Sequence, residues 1–96
     1  MSNLTMRSKI RVYWTTNPGD MGYGGKPTGE KKGDWKRGSG YELCSVRKAA
    51  NFKNELDRRV GVGTYKMISY QHNGDEIRRE DLLIMVDLAD MPAQYR

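Results

Sequence analysis

Eight of the 22 residues from Gly19 to Gly40 are glycine, and neither a helical nor a strand period runs through them. A stretch of that composition has no apolar face to bury. Residues 17–40 hold one Trp, one Tyr and one Met among Gly, Pro, Thr, Ser, Asn and charged residues. The core must come from the two flanks, residues 8–16 and 41–91. The chain has 96 residues, which suits a single small domain spanning 1–96. About 60 residues share one core, so cavity-making changes there are expected to be costly.

The flanks carry clear periods. Met1 to Arg7 reads as a loose end. Ser8–Thr16 alternates as a strand, with Ile10, Val12 and Trp14 on one face and Lys9, Arg11 and Tyr13 on the other. Asn17-Pro18-Gly19-Asp20 ends it with turn chemistry. Ser45–Val60 reads as a helix. Ser45 suits the N-cap, Gly61 follows the end, and Arg58 and Arg59 favour the last turn. Val46, Ala49, Phe52, Leu56 and Val60 make its apolar stripe, and Arg47, Asn51, Asn54 and Arg58 the opposite face.

Val62–Gln71 reads as a second strand. Asn73-Gly74 fits a type I′ turn, because both residues tolerate positive φ. Glu76–Arg79 would return the hairpin. Leu82–Leu88 is nearly all apolar. A strand is expected on length and on Ile84 and Val86, with a short helix begun by Glu80 and Asp81 as the other option. The predicted class is α+β: one helix packed on a small antiparallel sheet of three to five strands. A long Gly-rich basic loop joins the first strand to the helix, or else an irregular hairpin with Tyr23 and Trp35 as its packing points. A free sheet edge, such as the Ser8–Thr16 strand, offers a route to a homodimer.

Several chemistries can be set aside. Gly24 and Gly29 have the spacing of a phosphate-binding loop, but Glu30 follows; Gly19 and Gly24 have it too, but Gly25 follows. Ser45-Val46-Arg47-Lys48 has the Ser-x-x-Lys spacing, and a capping role explains Ser45 fully. His72 and Cys44 lie 28 positions apart with no partner at ligand spacing, so no metal or cofactor is expected. Cys44 reads as a small core residue and His72 as a solvated turn residue. Asp75, Glu76, Glu80 and Asp81 lack calcium-loop spacing and are interrupted by Arg78 and Arg79. No nucleophile–base pair stands out, so an enzyme is not expected. The longest apolar run, Leu82–Val86, has five residues, and no secretory signal opens the chain, so a cytoplasmic protein that does not enter the membrane is expected.

Charge gives the positive indication. The net charge is +5, but residues 1–60 carry +7 and residues 61–96 carry −2. From Lys26 to Arg37 in the Gly-rich segment, Lys26, Lys31, Lys32, Lys36 and Arg37 sit against only Glu30 and Asp34, and Tyr23 and Trp35 interleave with the cations. Cations neutralise phosphates and aromatic faces stack on bases. Arg47 and Arg58 would extend the patch from the helix. These nine residues form the expected partner-binding set. Two functions follow. One is a regulatory protein that engages nucleic acid, an acidic protein surface or a nucleic-acid-binding protein. The other is an inhibitor of the kind found among phage accessory proteins, docked on a host protein through Trp35 and Tyr23.

Overall fold

The computed structural model describes residues 4–16, 32–33, 35, 38–64 and 67–95. Four strands, β1 (Lys9–Thr15), β2 (Ser39–Ser45), β3 (Met67–His72) and β4 (Asp75–Ile77), form one antiparallel sheet in the order β2-β1-β3-β4. Three helices, α1 (Val46–Ala50), α2 (Phe52–Val60) and α3 (Arg79–Asp90), complete the α+β architecture, and a 3₁₀ turn follows at Ala93–Tyr95.

The first strand forms for the reason its alternation implies. Ile10, Val12 and Trp14 are completely buried against the helices. β1 is central, however: it pairs with β2 from Lys9↔Ser45 to Thr15↔Ser39 and with β3 from Arg11↔Gln71 to Thr15↔Met67. Both of its edges are used, so the edge strands are β2 and β4, and β1 offers no edge to a second copy.

The helix expected over 45–60 is present but broken at Asn51 (φ −102°, ψ 14°). Asn side chains compete with the helical backbone, and here Asn51 Nδ2 donates to the Arg47 carbonyl at 3.3 Å. Ser45 caps α1 by accepting from the Lys48 N–H at 3.1 Å. Thr64 Oγ1 donates to the carbonyls of Val60 and Gly61, 2.7 and 2.6 Å away, at the end of α2. Val46, Ala49, Phe52 and Leu56 are fully buried and Val60 packs beside them.

Asn73 and Gly74 have φ of 50° and 86° and join β3 to β4 as the turn chemistry predicts. β4 stops at Ile77, before the expected end of the hairpin. The strand expected over 82–88 is instead part of α3. A strand would put residues 82, 84, 86 and 88 on one face. The structure buries Leu82 and Val86 and leaves Ile84 and Leu88 at least half exposed, which is helical spacing. Leu and Met favour helix, and Glu80 and Asp81 sit in the first turn, where carboxylates stabilise a helix start. α3 packs against α1. The helices and the sheet enclose one core, from Ile10 and Cys44 through Phe52 and Leu56 to Ile77 and Val86.

Candidate functional site

Tyr23, Lys26, Lys31, Lys36 and Arg37 lie outside the described residues. The other four members of the expected set fall in three places. Lys32 is exposed and bridges Tyr41 on the outer side of β2, where the Gly33 N–H donates to the Tyr41 carbonyl. Trp35 is not a free loop aromatic. Its ring stacks on Trp14 with centroids 4.3 Å apart and lies 6.2 Å from Phe52, while the Arg59 guanidinium sits 4.4 Å over it. Trp35 is therefore a lid on the core beside β2.

Arg47 and Arg58 project from the polar face of the broken helix, as the spacing implies. They share a depression of about 440 Å³ with Ser45, Lys48, Asn51, Asn54 and Glu55. Both arginines are engaged. Arg47 makes a two-point bond to Asp90 at 2.8 and 2.9 Å, and Arg58 pairs with Glu55 at 2.6 Å. The hydrogen bond from Arg47 holds the Asp90 carboxyl below its ordinary range. Glu55 also holds Arg59 at 2.7 Å, so α2 presents a carboxylate flanked by two guanidiniums. Such exposed pairs contribute little to stability, and Lys48 and the two asparagines remain exposed beside them.

A second basic and aromatic group lies on the sheet face away from the helices. Register puts Lys9, Arg11, Tyr13, Tyr41, Leu43 and Gln71 on that face. The Arg11 guanidinium sits 4.7 Å over the Tyr41 ring, and the Tyr13 and Tyr41 rings are 6.0 Å apart. Tyr13 is only 1% exposed and serves packing; Tyr41 is half-buried and Leu43 is open. Lys9, Arg11, Tyr13, Leu43, Gln71 and the Asn73-Gly74 turn line a depression of about 420 Å³ here. The alternation of β1 already put Lys9, Arg11 and Tyr13 together. Tyr41 escaped notice because β2, which begins among glycines, carries too little apolar period to read as a strand.

Cys44 is buried on the core side of β2 with its thiol against the Ile10 carbonyl at 3.7 Å. Desolvation pushes the thiol pKa up to about 11, the opposite of what a nucleophilic cysteine needs. His72 is half-buried at the end of β3. Among the described residues no group of three or more His, Cys, Asp and Glu is placed to hold a metal ion, and no helix is long and apolar enough to cross a membrane. No family model matches the chain, and no curated protein or solved structure is significantly similar to it.

Proposed function

We propose that the protein is a non-enzymatic binding module that engages an anionic partner, nucleic acid first, through the β2–β1 side of the sheet and the Gly-rich segment between those strands. One observation carries this reading. On the sheet face away from the helices, Lys9 and Arg11 of β1 lie beside the Tyr41 ring of β2, and Lys32 bridges Tyr41 at the outer side of β2. Among the described residues, those before position 61 carry nine Lys and Arg against three Asp and Glu, and those after it two against six. A one-sided positive field steers polyanions to that side. Lys9, Arg11, Lys32 and Lys48 supply cations there, and the half-buried ring of Tyr41 supplies an aromatic surface next to them.

The test is a salt titration of binding to generic single- and double-stranded nucleic acid. Each phosphate contact contributes roughly 0.7–0.9 to the slope of log K against log salt. Lys31→Ala/Lys32→Ala/Lys36→Ala should flatten the wild-type slope by about two to three. Absence of binding at low salt, or an unchanged slope in the triple variant, refutes the reading. A second reading, docking on another protein, is favoured by Ile84 and Leu88, which lie four apart on α3 and are 55% and 50% exposed. It predicts a complex of fixed stoichiometry that tolerates salt and is lost in Ile84→Asp/Leu88→Asp.

A further inference from the structure

β4 is shorter than β3. Tyr70 opposite Ile77 is the last pair between them, so the edge of β3 from Met67 to Ser69 runs past the end of β4. The chain turns at Arg78 and enters α3 at that point. A hollow of about 370 Å³ results, floored by Ile68, Tyr70 and Ile77 and walled by Lys53 from α2 and by Arg78, Arg79 and Glu80. Its size falls within the range of small-molecule sites, and an apolar floor with a few converging polar groups is their usual composition.

The cations of the hollow are unevenly engaged. Arg78 Nε pairs with Glu80 at 3.5 Å. Neither Lys53 nor Arg79 makes an ion pair among the described residues. Arg79 Nε is also buried with no hydrogen-bond partner there. A guanidinium donor withdrawn from water without an acceptor is costly, and an incoming anion would supply that acceptor. Ser69 and Glu76 also line the hollow; Glu76 pairs with Gln71, so its side chain lies on the other face of the sheet from Ile68 and Ile77 and leaves Lys53 and Arg79 as the cations facing the apolar floor. Two unpaired positive charges suit a dianion better than a carboxylate, and a phosphate monoester carries about −1.5 to −2 at neutral pH. Ile68 and Ile77 suit an apolar or flat body attached to it.

We propose that this hollow binds a small organic phosphate monoester, with Arg79 and Lys53 holding the phosphate and Ile68 and Ile77 contacting the body. The site belongs to the β3–β4 side and stands independently of the nucleic-acid reading. The experiment follows amide shifts of the full chain by NMR during titration with phenyl phosphate, adenosine 5′-monophosphate, inorganic phosphate and adenosine. Saturable shifts centred on Ile68–Ser69 and Arg78–Glu80 are expected for the two monoesters, with weaker binding of inorganic phosphate and none of adenosine. Arg79→Gln and Lys53→Gln, both compatible with helix, should each weaken binding about tenfold or more. Lys31→Ala/Lys32→Ala/Lys36→Ala should leave it unchanged. No saturable shift at millimolar monoester, shifts confined to the opposite sheet face, or wild-type affinity in both Gln variants would overturn the proposal. Equal affinity for inorganic phosphate would overturn the role given to Ile68 and Ile77.

Discussion

Trp35→Ala separates a core lid from a solvated loop residue. Truncating a fully buried Trp or Phe costs about 3–5 kcal/mol. Trp35 keeps part of its surface in solvent, so the expected loss is about 2–3 kcal/mol, combining burial against Trp14 and Phe52 with the contact from Arg59. The Arg59 contact alone is worth about 0.5–1 kcal/mol, and a double-mutant cycle with Arg59→Ala should return a coupling of that size. For a domain of this length about 2–3 kcal/mol lowers the melting temperature by roughly 10–20 °C. It is also a large fraction of a total stability on the order of 5–14 kcal/mol. Urea unfolding followed by far-ultraviolet circular dichroism is the suitable assay, because the substitution removes one of the two tryptophans that fluorescence would report. A loss below about 0.5 kcal/mol is what an unpacked surface residue gives, and it would refute the stacked arrangement. The same magnitude warns that Trp35→Ala is a poor probe of any interface, since it unsettles the fold first. Lys32, exposed on the outer side of β2, is a cleaner one.

Leu82→Ala should cost about 2–5 kcal/mol while Ile84→Ala costs less than about 1, because α3 buries the first and exposes the second; similar losses in denaturant titrations would restore a strand over 82–88. Gly38 has φ 74°, and a Cβ there would collide with Thr16 Oγ1, so Gly38→Ala should lower stability by at least about 1–2 kcal/mol, measured the same way. Cys44 should resist a water-soluble disulfide reagent at pH 8 in the native protein and react on addition of denaturant; rapid native labelling would contradict its burial. The raised Cys44 pKa also sets a sign. Stability is intact below the unfolded thiol value of about 9 and falls by about 2–3 kcal/mol as pH rises from there through about 11, because in that window only the unfolded state releases the proton. Cys44→Ala should lack that part of the alkaline loss.

Elements with a local, periodic signal were legible in the sequence. β1, the Ser45 cap, the apolar stripe from Val46 to Val60 and the Asn73-Gly74 turn all follow from spacing and turn chemistry, and the structure agrees with each. Leu82–Leu88 did not follow, because a short run with almost no polar residues has no phase to distinguish helix from strand. Its environment decides: α1 offers a helical neighbour, and β4 ends too early to extend the sheet. β2 was hidden for a related reason. Its two buried residues, Gly40 and Cys44, are small, and what holds it is pairing with β1, a long-range interaction. For the candidate site, the composition identified the cations and aromatics but not their company. Arg47 meets Asp90 from 43 positions away, and Trp35 meets Trp14 and Phe52, contacts that no spacing along the chain encodes.

The chain leaves the sheet at Thr16, whose N–H donates to the Gly38 carbonyl at 2.7 Å, and it is tied back by the Lys32 bridge and the Trp35 stack. The two ends of the intervening stretch are thus anchored by structure that does not depend on its length. Doubling the length of a flexible connection costs only about 0.6 kcal/mol in closure entropy. Closure at these two anchors therefore sets little limit on how many residues lie between positions 16 and 32, and insertions there should cost the sheet and its tryptophan lid little. Homologous chains should differ most in the length of that interval.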